Sequence, residues 1–415
     1  MRGFFQHHKA VLKNISWMYL MQVANYIFPL LTLPYLLRVV GLDKYGIIVL
    51  GQAVMGYLNV VVDYGFNLTA TREIANFKHD LTKIRPVYNR VMQCKIGITF
   101  LLFIVGGAVL LIGSLDMSTK IFWLMAFTIV LGQLMNPIFF FQGIEDMKYI
   151  TFANVIARTS YLVLLFLVVH EESDYIYAVL LQGVSGMIAG IMALYIAHKK
   201  YGMFISWQFN WKNIKYELIK GRPIFISNCC GNLYVQGSSV IVNFFAGNVA
   251  TSYFSLATKI SSVVCRIFQP VVQAIYPRLC QRFADHNADD MTRRAFHFTV
   301  IASFIACITT SIAAPLISWI LKGNIDPVLV RDIHIANVML FFTIMNVAMH
   351  PFILAMGLYD FVQKLYMVVS LCYLLVASVG SYFWQQEGML ASLILVELSI
   401  SVSYYRQLFK RSTLK

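Results

Sequence analysis

Apolar runs of about 20 residues, separated by short polar connections, recur along the whole chain, and a helix of that length crosses the hydrocarbon core of a bilayer. They fall near 14–37, 45–67, 91–112, 119–141, 149–169 and 175–197, then near 223–246, 250–276, 295–321, 333–356, 362–383 and 388–405. The pattern predicts an all-α integral membrane protein with twelve transmembrane helices. The longest hydrophilic connection, 198–222, divides the runs six and six. This gives an N-terminal lobe over 1–197, a basic cytoplasmic linker over 198–222 and a C-terminal lobe over 223–415. Trp207, Phe209 and Trp211 interrupt the basic residues of the linker, a composition that suits an amphipathic segment on the inner leaflet. A protein-docking role is the other reading of that segment.

Composition agrees, since 59% of the 415 residues are hydrophobic and only 13% are charged. That balance, with a mean hydropathy of +0.68, excludes an ordinary soluble domain. The formal charge of +14 is explained by topology. With the N-terminus inside, 24 of the 33 Lys and Arg residues fall in cytoplasmic segments, which is where such residues collect. Both termini are therefore expected in the cytoplasm, and no nucleic-acid partner is needed. The first apolar run is too long for a cleaved signal peptide and reads as an uncleaved span. Six cysteines lie in spans and Cys280 in a cytoplasmic loop, so none is placed for an extracytoplasmic disulfide. The adjacent Cys229 and Cys230 lack a second pair or a nearby His, which favours span packing over metal binding.

A shift of 206 residues lays the second half on the first. Gly41 then falls on Gly247, Asp63 on Gln269, Asn67 on Gln273 and Arg72 on Arg278. Six spans return the chain to its starting side, so such repeats would share one orientation and flank a central cavity.

Polar residues within the spans form stripes at helical spacing. Lys259, Ser262, Arg266, Gln269 and Gln273 share one face of span eight, and Gln52, Asn59, Asp63 and Asn67 form its counterpart in span two. Thr151, Asn154, Arg158 and Tyr161 share a face of span five. Hydrogen bonding between packed helices accounts for isolated Asn and Gln residues. Cations are costlier, and a Lys or Arg at mid-span faces a bundle interior or a wet cavity unless it reaches the headgroups. Lys95, near the cytoplasmic edge of its run, is expected to snorkel. Arg158, Lys259 and Arg266 are the candidate lumen cations, suited to phosphate through guanidinium forks and a point-charge ammonium. Asn67, Asn154, Gln269 and Gln273 are candidate polar contacts. Asp63 and Glu397, the two deep acids, are either proton or sodium coupling sites or internal counter-ions. Pro29 and Pro34, followed by Gly41, form a candidate gating hinge, with passive kinking as the other reading.

No phosphate-binding loop, zinc-protease helix or nucleophile elbow occurs, and the His residues lack ligand spacing. The reading is a transporter without catalytic residues, metal or cofactor.

The segment Asp63-Tyr64-Gly65-Phe66-Asn67-Leu68-Thr69-Ala70-Thr71-Arg72, the run from Phe141 through Gln142, Gly143, Ile144, Glu145, Asp146 and Met147 to Lys148, and Gln273-Ala274-Ile275-Tyr276-Pro277-Arg278 resemble the Wzx O-antigen flippases. These belong to the polysaccharide transport branch of the multidrug/oligosaccharidyl-lipid/polysaccharide (MOP) exporter superfamily. The resemblance implies a MATE-like fold and alternating access between two six-helix lobes with a cationic lumen. It implies translocation of an undecaprenyl-diphosphate-linked oligosaccharide from the cytoplasmic to the periplasmic leaflet of the inner membrane. It further brings in proton or sodium coupling, membrane lipid, an O-antigen polymerase and a chain-length regulator as partners. A multidrug and toxin extrusion exporter is the rival, but span one carries no acid and bases outnumber acids in the spans. A lipid II flippase of the MurJ type would have fourteen spans, and a non-transporting assembly scaffold is a more distant alternative.

Overall fold

The computed structural model describes the backbone of residues 2–77, 80–206, 210–284 and 289–410, and their side chains except those of 2–27, 29, 30, 269–291, 359 and 410. Among these residues the secondary structure is helical. In chain order the helices are α1 (Arg2–Asp63), α2 (Phe66–Asn76), α3 (Leu81–Ile112), α4 (Met117–Ala126), α5 (Thr128–Met135), α6 (Ile138–Gly143) and α7 (Lys148–Val168). They continue as α8 (Tyr175–Tyr201), α9 (Trp211–Val235), α10 (Gly237–Ala284), α11 (Asp289–Lys322), α12 (Pro327–Ala355) and α13 (Tyr359–Lys410).

Among the described residues, nine helical segments are long and apolar enough to cross a membrane. Their outer faces carry bare apolar side chains, such as Phe100, Leu101 and Ile104 on α3 and Phe298, Ile301 and Ile305 on α11. In water such a surface would drive aggregation, whereas in lipid it costs nothing. The protein is a multi-pass membrane protein.

Two of the segments, Leu31–Asn76 and Asp360–Phe409, run to 46 and 50 residues, more than twice the span of a hydrocarbon core. Backbone breaks subdivide the long helices. Gly41 interrupts α1 (φ 73°, ψ 173°) and Gly247 interrupts α10 (φ 79°, ψ −173°). These are the two glycines that the 206-residue shift superimposes, and they share a conformation open essentially to glycine alone. The second break is held by Asn243, whose Nδ2 donates to Asn248 Oδ1 (2.9 Å), and by Thr251, which donates to the Gly247 carbonyl (2.8 Å). In α13 the break falls at Trp384 and Gln385, the latter at φ 50°. All three breaks lie between runs expected to be separate spans.

Three helix starts have side-chain caps. Asp80 accepts from Thr82 N (3.1 Å), Asp116 from Thr119 N (3.0 Å), and Asp326 from Val328 N (2.8 Å) ahead of Pro327. Gly202 closes α8 in the left-handed conformation.

The chain forms two compact units, one of residues 1–44 and 51–232, the other of 45–50 and 233–415. In the first unit α5 and α7 pack on α8, and α2 packs on α6. A Cβ on Gly132 would lie 2.9 Å from the backbone of Gly186, so glycine lets α5 and α8 touch main chain to main chain. The core joins Phe66, Ile74, Tyr88 and the run Phe139, Phe140 and Phe141. The stretch expected as a linker holds the end of α8 and the first half of α9. There, Arg90 on α3 donates from Nε to Glu217 (2.7 Å) and from Nη2 to Glu73 on α2 (2.8 Å), and Lys220 pairs with Glu73. The Phe225 ring stacks on Tyr64 at 4.3 Å. In the second unit α10, α12 and α13 pack mutually, α11 lies on α12, and Phe254, Met349, Phe352 and Tyr373 occupy the core.

Candidate functional site

In the first unit the polar constellation gathers around a helix break. Helix α1 stops at Asp63, Tyr64 and Gly65 take positive φ (46° and 81°), and α2 begins at Phe66. The Asp63 carboxylate faces the backbone N–H groups of Gly65 and Asn67 and senses the ammonium of Lys95. Among the described residues its Oδ1 is buried without a hydrogen-bond partner, as is Asn59 Oδ1 one turn earlier. Of that expected stripe, Gln52 bonds Gln182 (2.8 Å) as a helix-packing contact, and Asn67 is half-buried.

Lys95 corrects the sequence reading. Far from reaching the headgroups, it is 1% exposed, and its Nζ donates to the carbonyls of Gln133 (2.8 Å) and Asn136 (3.0 Å). The cause lies at Pro137. In an unbroken helix the Gln133 carbonyl would accept from residue 137, but proline has no N–H. The ammonium supplies donors at the gap between α5 and α6, within electrostatic reach of Asp63.

Arg158 is half-buried on α7 and has no carboxylate partner among the described residues, with the Tyr161 hydroxyl as its electrostatic neighbour. Asn154, one turn earlier, donates to the Ile150 carbonyl of its own helix (2.9 Å).

In the second unit, Lys259 is half-buried on α10. Its Nζ donates to the hydroxyl of Tyr45 (2.8 Å), within the 45–50 stretch that clusters with this unit, and lies 5.2 Å from that ring's centroid. It too has no carboxylate partner among the described residues. Ser262 and Arg266, on the same stripe, are exposed, and Ser262 bonds the Lys259 carbonyl (2.8 Å). The side chains of Gln269, Gln273 and Pro29 lie outside the described residues; Pro34 is half-buried in α1.

Glu397 anchors the densest polar network. It accepts from Tyr234 Oη (2.6 Å) and from Asn346 Nδ2 (2.6 Å), while Asn346 Oδ1 accepts from Ser401 (2.7 Å). The Thr343 hydroxyl, which donates to the Met339 carbonyl (3.0 Å), is a further polar neighbour. Tyr234 meets Tyr373 edge to face, and Ser238 bonds the Tyr373 hydroxyl. Close by, His350 Nδ1 meets Tyr404 Oη (2.7 Å). The carboxyl is 8% exposed and is surrounded by neutral hydroxyls and amides. Such a group can be held as a carboxylate by donors or as an acid in apolar surroundings. Sequence reasoning found the acid but missed Tyr234 and Asn346, whose only signal was a polar atom inside an apolar run.

The first two sequence motifs shape turns. Gly65 provides the left-handed residue before α2; a Cβ on Gly143 would lie 2.6 Å from Ile74, and Glu145 takes φ 56°. Asp146 accepts from Tyr201 Oη (2.6 Å) and Lys200 (3.2 Å), tying that turn to the end of α8. The third motif lies outside the described side chains.

The model of the family described as "Polysaccharide biosynthesis protein" matches residues 11–283, well over half of the chain. The chain belongs to that family. Among curated relatives, a "Putative O-antigen transporter" of Escherichia coli (strain K12) is 33% identical over 268 residues, which are 64% of each protein. One of the same description from Shigella dysenteriae is 25% identical over 94% of this chain and 97% of its own length. Among solved structures, an inward-facing multidrug resistance MATE family transporter of the MOP superfamily aligns at a TM-score of 0.73 and 13% identity, covering 93% of this chain and 95% of the other. The lipid II flippase MurJ, in an inward closed conformation, also gives 0.73, at 14% identity over 95% and 87%. At such identities the structural likeness concerns the fold, which is the all-α MATE-like fold expected from the sequence.

Proposed function

We propose that this protein is a flippase for a lipid-linked oligosaccharide. The observation carrying the reading is that Arg158 and Lys259 sit half-buried within membrane helices with no carboxylate partner among the described residues. A cation so placed is costly unless an anion visits it, and a diphosphate is the anion that lipid-linked sugars carry. The O-antigen transporters among its relatives support the same cargo. On this reading an undecaprenyl-diphosphate-linked O-antigen unit crosses from the cytoplasmic to the periplasmic leaflet of the bacterial inner membrane. Twelve spans in lobes 1–197 and 223–415, joined through 198–222 and with both termini cytoplasmic, alternate access to a central cavity. Arg158, Lys259 and Arg266 bind the diphosphate, and Asn67, Asn154, Gln269 and Gln273 contact the sugars. Glu397 and Asp63 carry the coupling proton or sodium, Pro29, Pro34 and Gly41 form the hinge, and the polymerase and chain-length regulator receive the product.

The test is reconstitution of the purified protein in vesicles containing a lipid-linked saccharide on one leaflet, with lectin accessibility as readout. Wild-type protein should equilibrate the saccharide, while Arg158→Ala and Lys259→Ala should each slow it at least tenfold without loss of incorporated protein. Full activity in both variants would remove the cationic-lumen assignment. Failure of the wild type, together with protection of cells against cationic drugs, would replace the flippase reading by drug export.

A further inference from the structure

We propose that the first unit carries, on its basic face, a binding site for a phosphate-ester headgroup, formed where the start of α9 meets α3. A cavity of about 620 Å³ lies there, bounded by Arg85, Asn89 and Arg90 of α3 and by Asn210, Trp211 and Asn213 around the first turn of α9. Residues 85 and 89 are one helical turn apart and share a face.

Charge and open N–H donors select the ligand class. Asn89 spends its Oδ1 on the backbone N–H of Ser206 (2.7 Å), and Asn210 spends its Oδ1 capping Lys212 N (3.0 Å). Each amide keeps its NH2 donors, and one of the two lone pairs on its oxygen is occupied. Arg85 adds a guanidinium with no carboxylate partner among the described residues, lying 5.8 Å from the Phe204 ring centroid. The carboxylates nearby are already committed. Glu73 and Glu217 are paired with Arg90 and Lys220, so those four charges cancel. Among the described residues, what remains is one net positive charge, the amide N–H donors of Asn89 and Asn210, and the positive end of a 25-residue helix.

A neutral sugar would leave the guanidinium charge unmatched, and a zwitterionic ammonium would meet the guanidinium. A singly charged phosphate ester matches the charge and accepts from the amide donors. Trp211, 72% exposed beside the cavity, has the amphipathic ring that settles at the headgroup level. The same chemistry could be delivered by a lipid headgroup or by free phosphate. This site shares no residue with the cationic lumen, so the inference stands apart from the flippase reading.

Native mass spectrometry of the full chain in detergent, with phosphatidylglycerol, phosphatidylcholine and inorganic phosphate as separate probes, tests the site. Arg85→Ala removes the charge, and Asn213→Asp adds an anion that favours the helix start while repelling phosphate. Both positions are exposed, so thermal midpoints should hold, and the second variant keeps the test valid if the first misfolds. The expected result is preferential retention of phosphatidylglycerol over phosphatidylcholine, with affinity falling about tenfold in each variant. Inorganic phosphate that binds in a variant-sensitive manner, with no preference between the lipids, assigns the site to free phosphate. Equal retention of both lipids without phosphate binding, or binding unchanged in both variants, overturns the proposal.

Discussion

Replacing Lys95 by methionine separates two physical roles for a lysine in an apolar helix. A side chain that reaches the headgroups can be removed at a cost within about 0.5 kcal/mol. Here the ammonium makes two hydrogen bonds to carbonyls, at 2.8 and 3.0 Å. Bonds to a charged donor contribute about 1.5–3 kcal/mol each, so the gross loss is about 3–6 kcal/mol. Relief of ammonium desolvation offsets part of it, leaving an expected destabilisation of about 2–4 kcal/mol. The Asn136 carbonyl is stranded, whereas the Gln133 carbonyl keeps a long bond from Asn136 N (3.3 Å). Pro137→Ala would return an N–H to the Gln133 carbonyl, so Lys95→Met should cost about 1 kcal/mol less in that background. Denaturant titration of the four proteins of this cycle in detergent micelles measures both quantities. A loss below about 0.5 kcal/mol, or an equal loss in the two backgrounds, would refute the account.

Other substitutions probe the remaining features. Glu397→Gln preserves the shape of the Tyr234 and Asn346 network but cannot carry a proton; flux in vesicles should lose its response to an imposed pH gradient, and an unchanged response would exclude Glu397 as a coupling site. Gly41→Ala and Gly247→Ala should each cost about 1–3 kcal/mol from backbone strain alone, because a Cβ at either glycine meets nothing within 4 Å; a thermal midpoint equal to wild type for both would contradict that conformation. Burial disfavours the charged form of Asp326, but Lys322, Tyr253 and the Val328 N–H outweigh it and hold this carboxyl, outside the spans, below its ordinary value. Its stabilising contribution is therefore complete above the unfolded carboxylate pKa and lost as pH falls through the folded one. Asp326→Asn should flatten the acid side of a stability-against-pH curve, and an unaltered acid limb would show that the pairing contributes nothing.

Period and polarity along the chain carried most of the fold. Apolar runs located the helices, and the pairing of Gly41 with Gly247 anticipated two backbone breaks of one geometry 206 residues apart. The break at Trp384 and Gln385 was legible only as a gap between runs, since neither residue is a glycine or proline. The side-chain network was harder to read because its partners are distant in sequence. Tyr234 and Glu397 are separated by 163 residues and Asn346 and Glu397 by 51, and no local pattern couples them. Lys95 obeys the same rule: its place along its own helix points to the headgroups, while the carbonyls that hold it are exposed by a proline more than 40 residues away.

The ion cluster of Glu73, Arg90, Glu217 and Lys220 sets an order on biogenesis. Chains fold from the N-terminus as they are synthesised. Until residue 217 has emerged, Arg90 holds one of its two carboxylates, and the Tyr64–Gly65 break lacks the cover that Gly221, Ile224 and Phe225 later give it. The first half of the protein therefore finishes folding only when the ribosome has passed into the start of the second. A released fragment ending at residue 202 would leave that half incomplete, and one ending beyond 232 would not.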